Sequence, residues 1–226
     1  MIGREPREIW QDSLEDGRRR LGRSAKVLAA TGLLGGFHVA FGLVALVVTT
    51  GALATLMPIY PAHVLGSLTF GIGFVFLTVG RSELFTENFL IPVAAVLSGH
   101  STKRSVLRLW VITFMLNLAG IAIIVLLASV SGVLKPESLT AAGDLATTLA
   151  ERGVAAAFVA GVLAGTVITV FTWLAEVAEV LFGIAAGTTS ADWTDLARNT
   201  AVAVAGNVAG GVLLVAFVRS IQAGAE

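Results

Sequence analysis

Five apolar runs, at 27–51, 62–80, 105–131, 153–174 and 197–218, recur along this chain of 226 residues, and each is long enough to cross a bilayer. A crossing helix takes about 20 apolar residues, because each adds 1.5 Å towards a hydrocarbon thickness of about 30 Å. Lipid offers the backbone no hydrogen bonds, so runs of this length must be helices. The fold class that follows is an all-α polytopic membrane protein. With 56% hydrophobic residues, 13% charged residues and a mean hydropathy of +0.87, the chain reads as one membrane domain over 27–218, not as a soluble unit with an anchor. Residues 219–226 are left as a short tail. No cysteine is present, which excludes disulfides and thiolate metal sites.

The charges are unevenly placed. Arg4, Arg7, Arg18, Arg19, Arg20, Arg23 and Lys26 crowd the start, whereas 52–63 carries no Lys or Arg. Cytoplasmic flanks collect basic residues, so the N-terminus is expected in the cytoplasm, with the protein in the plasma (inner) membrane. Lys103, Arg104 and Arg108 follow two crossings later and agree, while 133–152 mixes Lys135 and Arg152 with Glu137, Asp144 and Glu151 and is expected outside. Residues 1–26 form either a solvated cytoplasmic tail or an interfacial helix with Ile9, Trp10, Leu14 and Leu21 as its apolar stripe. Their polarity gives no cleavable-signal pattern.

Between Val75 and Pro92 the chain reads VFLTVGRSELFTENFLIP, which puts Arg81, Glu83 and Glu87 at membrane depth. A charge there costs several kcal/mol, on the order of 3 on insertion scales, unless it is paired or wetted, and such residues usually mark a solute route. The apolar pieces that follow this cluster, 88–98, and that precede Gly187, 176–187, are too short to span. Both read as half-helices of the kind that line a transporter pathway. The pairs Gly32/Gly36, Gly161/Gly165 and Gly206/Gly210 are packing signals for close helix approach.

An internal repeat joins the two pieces. Asn117-Leu-Ala-Gly-Ile-Ala-Ile-Ile-Val125 aligns with Asn207-Val-Ala-Gly-Gly-Val-Leu-Leu-Val215, and counting back from Gly99 and Gly187 sets Asn88 opposite Glu176. Two inverted halves with two broken helices, meeting near midplane, are expected. The halves differ in length: 27 to Asn88 is 61 steps along the chain, but 153 to Glu176 is 23, so the second half is abbreviated by about one crossing. Five or six crossings both remain open.

Several side chains have two readings. Glu176 and Glu179 share a helix face, and two carboxylates so close in low dielectric call for a shared proton or a bound cation. Arg81 is a candidate partner for any of these acids, including Glu83 and Glu87. Thr86 and Glu87 either cap the half-helix that begins at 88 or meet the solute.

Gly80-Arg-Ser-Glu-Leu-Phe-Thr-Glu-Asn88, followed by a half-helix ending at Gly99, resembles the loop that breaks the second span in the formate/nitrite transporter (FNT) family. Gly206-Asn-Val-Ala-Gly-Gly211 is similar to its last span, and Leu84-Phe-Thr-Glu-Asn88 looks most like its YfdC-like branch. The resemblance implies an aquaporin-like inverted-repeat bundle that assembles as a homopentamer with one pore per protomer. It also implies passage of small monovalent anions, or their neutral acids, past Leu84, Phe85 and Thr86. The family's histidine in the second break is absent, because Thr172-Trp-Leu-Ala-Glu-Val-Ala-Glu-Val180 contains none. His38 in the first span is the candidate substitute, since imidazole changes charge near neutral pH; its other reading is a helix contact.

The function expected is therefore a membrane channel or transporter for a formate- or nitrite-type anion, with the route lined by Leu84, Phe85, Thr86, Glu87, Asn88, Glu176, Glu179, His38, Asn117 and Asn207. A small-cation channel selected by Glu176 and Glu179 and a non-conducting structural relative are the alternatives. The chain has no Cys and no His-x-x-x-His, and the carboxylate pair has no cofactor site beside it, so an enzyme is not expected. Lipid and a small solute are the expected partners, with no cofactor, metal or nucleic acid.

Overall fold

The computed structural model describes residues 6–89 and 91–167, with short pieces at 184–185, 187, 192–194 and 197–198. Helix α1 covers Pro6–Leu21, α2 Ala25–Ala54, α3 Ile59–Thr69, α4 Gly71–Gly80, α5 Ile91–Leu97, α6 Lys103–Ala128, α7 Pro136–Ala150 and α8 Val154–Val167. One 3-10 turn, Thr86–Phe89, lies between α4 and α5, and no strand occurs among the described residues. Among the described residues three stretches are long and apolar enough to cross a membrane: α2, α3 with α4, and α6. A fourth arises if α7 and α8, bent by 104° to each other, count as one broken span.

Helix α2 is the central strut, packed against α3, α4, α6 and α7. It starts cleanly because Ser24 caps it, its hydroxyl accepting from the Val27 N–H at 3.3 Å. Thr102 does the same for α6, accepting from the Ser105 N–H at 3.2 Å. The two helices cross nearly backbone to backbone at Gly32, Gly36 and Gly120. A Cβ on Gly36 would strike the Asn117 carbonyl, and one on Gly120 the Leu33 carbonyl. Leu43, Val47, Leu84, Phe89, Ile121 and Val125 fill the core beside this crossing. The outer face is apolar too, with Leu56 80%, Tyr60 78% and Val79 78% exposed.

Residues 6–21 form α1, which docks on α5, with Leu14 and Leu21 buried and Gly17 against the Ile91 carbonyl. The stretch 133–152, expected only as an outer connection, contains α7. That helix is amphipathic, burying Ser138, Ala141, Ala142, Leu145, Ala146 and Leu149 at helical spacing while Asp144 stays exposed. Its small side chains pack on α2, where Gly51 meets the Glu137 carbonyl and Ser138. Their low hydropathy hides the helix from a search for apolar runs. Most of the 176–187 piece, the 197–218 run except 197–198, the second copy of the repeat and residues 219–226 lie outside the described residues.

Candidate functional site: the polar break in the second span

Helix α4 stops at Arg81, whose backbone is left-handed (φ 48°, ψ 38°). For a residue other than glycine that conformation costs about 1–2 kcal/mol. The N–H groups of Arg81 and Ser82 turn back to the carbonyls of Thr78 and Leu77 at 3.4 and 3.3 Å. The chain then runs non-helically through Leu84 to the turn at Thr86–Phe89 before α5 begins. Ser82 through Thr86, Asn88 and Phe89 are all buried, and Glu87 is half-buried.

Backbone groups so placed must find partners inside the protein. Asn117 supplies three of them. Its Oδ1 accepts from the Phe85 N–H at 2.8 Å, while its Nδ2 donates to the Gly32 carbonyl at 2.6 Å and the Glu83 carbonyl at 3.0 Å. The Glu83 N–H donates to the Thr31 carbonyl at 3.1 Å. One amide on α6 thus ties the break to α2. Gly35 lets the loop come this close, since a Cβ there would strike the Glu83 carbonyl.

Asn88 closes the other end. Its Nδ2 donates to the Leu84 carbonyl at 2.8 Å, and its own carbonyl accepts from Trp110 Nε1 at 2.9 Å. Phe85 and Phe89 meet edge to face at 4.9 Å between centroids, and Phe89 meets Trp110 at 5.4 Å in the same way. Such pairs add about 0.5–1.5 kcal/mol beyond burial.

The charges are balanced from α1 and the residues just after it. Glu83, with its side chain 3% exposed, is paired with both Arg20, at 3.4 Å, and Arg23. Arg20 also lies 3.7 Å from Glu87 and donates to Asn88 Oδ1 at 3.3 Å. Arg108 grips this segment by donating to the Leu21 and Arg23 carbonyls at 2.9 and 2.8 Å. His38 reaches the break from α2, its Nδ1 2.9 Å from the Ser82 hydroxyl.

The structure therefore gathers Leu84, Phe85, Thr86, Glu87, Asn88, Asn117, Glu83 and His38 into one cluster. Arg81 stands apart: it is exposed, and among the described residues the partners of Glu83 and Glu87 are Arg20 and Arg23 instead. Helix α5 begins at Ile91, not 88, and Thr86 and Glu87 open the 3-10 turn before it. Glu176, Glu179 and Asn207 lie outside the described residues. Arg20, Arg23, Trp110 and Arg108 were not anticipated. For the first two a signal existed: two acids at depth require two cations, and the basic cluster at 18–26 holds the surplus.

A family model described as formate/nitrite transporter matches residues 7–183. The chain belongs to that family. A solved structure titled "FNT family ion channel" superposes with a TM-score of 0.70 at 15% sequence identity, covering 94% of this chain and 99% of that chain. At this identity the likeness establishes the fold, an all-helical FNT-type bundle with broken helices. No curated protein matches the chain. As an FNT member with apolar crossing helices, it is an integral membrane protein of a transporter family.

Proposed function

We propose that this chain is a channel or transporter for a small monovalent weak-acid anion of the formate or nitrite kind, carried in a proton-linked way. The observation that carries the reading is the buried Leu84-Phe85-Thr86 turn, preformed by Asn117 and electrically balanced by Arg20 and Arg23. A route through lipid needs polar groups that are held in place before the solute arrives, so that no reorganisation opposes passage. Thr86 is the hydroxyl on that route, and Leu84 and Phe85 are its apolar constrictions. Asn117 and Asn88 are committed to the backbone and hold the route instead of lining it. His38, bonded to Ser82 at the edge of the break, is the group that lends a proton.

Membership of the YfdC-like branch, a homopentameric assembly with one pore per protomer, an abbreviated second half, and a plasma-membrane location with a cytoplasmic N-terminus belong to the same proposal. So does the small-solute pathway contribution of Glu176, Glu179 and Asn207. A second reading, a small-cation channel, is favoured by the sequence 172–180, where two glutamates stand and no histidine does. Proteoliposome uptake of formate, nitrite and ammonium at several pH values separates the two. Formate or nitrite uptake that rises as external pH falls supports the anion route; uptake of ammonium alone, lost in Glu176→Gln/Glu179→Gln, overturns it.

A further inference from the structure

We propose that Arg20 and Arg23 set the charge selectivity of the route past Leu84–Thr86 by cancelling the two carboxylates that bracket it. This inference rests on the anion reading above. Glu83 immediately precedes Leu84 and Glu87 immediately follows Thr86, so the three residues of the route lie between two acids. The side chains of Glu83 and Glu87 are only 3% and 20% exposed. In such a setting a net charge is weakly screened by either water or salt. Left alone, the pair would repel an anion and gather a cation.

The cancelling charges come from outside the crossing helices. Arg20 and Arg23 lie 63 and 60 residues before Glu83 in sequence, at and just beyond the end of α1, and together they bring the cluster to zero. Arg81, the nearest basic residue in sequence, is turned to the exposed end of α4. The arginines are held, not merely nearby: Arg108 grips the Leu21 and Arg23 carbonyls, and Asn88 Oδ1 accepts from Arg20. One nitrogen of Arg20, Nη1, lies 3.4 Å from Glu83, 3.7 Å from Glu87 and 3.3 Å from Asn88 Oδ1, so a single guanidinium sits between both acids. The N-terminal helix is thereby a specificity element of the pore, and Arg20 and Arg23 act as positioned counter-charges that need not touch the solute.

The test uses the full chain in proteoliposomes, with formate and ammonium fluxes measured on the same preparation and assembly checked by size-exclusion chromatography. Arg20→Gln leaves the cluster one charge negative, and Glu87→Gln leaves it one charge positive. The formate-to-ammonium flux ratio should fall about tenfold in the first, rise about threefold in the second, and return to within about twofold of the unsubstituted chain in the double variant. A purely structural role would lower both fluxes together in each single variant and leave the ratio unmoved. That result, or ratios shifting in the same direction, overturns the inference while formate flux through the unsubstituted chain still stands. Absence of formate flux in the unsubstituted chain instead overturns the function on which the inference rests. Should Arg20→Gln fail to assemble, the ratios of Glu87→Gln and of the double variant decide the matter alone.

Discussion

Two of the helix interruptions among the described residues contrast. Between α4 and α5 the break is buried and polar, and the bonds that hold it come from α1, α2 and α6. Between α7 and α8 the chain bends by 104° within three residues, with Glu151 and Gly153 exposed. Helix α7 ends there with the Glu151 N–H turned to the Thr147 carbonyl at 3.0 Å and the Ala150 carbonyl accepting from Arg198 at 2.9 Å. The contrast teaches where a break is demanding. The exposed corner shows one side-chain tie, from Arg198, whereas the sealed break is supplied with several partners by other helices, and those partners must be specific residues.

This difference can be broken by substitution, and the largest effect should come from Glu83. Glu83→Leu takes the carboxylate from Arg23 and leaves Arg20 with Glu87 alone, and removing one side of a buried pair is destabilising by about 3–5 kcal/mol. Denaturation titrated with SDS in mixed micelles should show that loss, and Arg23→Met added to Glu83→Leu should recover most of it, because Arg20 stays with Glu87. Next comes Asn117→Leu, which leaves the buried Phe85 N–H and Glu83 carbonyl without their amide partner. A loss of about 2–4 kcal/mol in the same titration is expected, with formate uptake lost in parallel. Trp110→Phe keeps a ring against Phe89 but removes the bond to the Asn88 carbonyl, and should cost about 1 kcal/mol with flux retained. Smallest of all, Gly153→Ala at the open corner meets nothing within 4 Å and should stay within about 0.5 kcal/mol of the parent. If Gly153→Ala matched Asn117→Leu, the distinction between sealed and open interruptions would be lost.

How much of this was legible in the sequence follows from range. Spans α2, α3 with α4, and α6 are visible because hydropathy is a local property, and the break at 81–90 is visible because charges in an apolar run stand out. Asn117 could be nominated from the repeat, though not its role as a three-way tie. The basic surplus at 18–26 signalled that cations were available, but not which acid each one meets, because Arg20 and Glu83 are 63 residues apart and proximity along the chain points to Arg81 instead. Helix α7 was hidden for another reason: beside Leu145 and Leu149 it packs through alanines and a serine, whose burial depends on the fit against Gly51 more than on hydropathy. Sequence patterns report what a segment is, and long-range pairing decides what it meets.

The position of Arg20 and Arg23 near the start of the chain also bears on biogenesis. A polypeptide made from its N-terminus has both guanidiniums synthesised some 60 residues before the acid they neutralise. Both counter-ions are thus already in the nascent chain when Glu83 is made, and its neutralisation need not wait for any later segment.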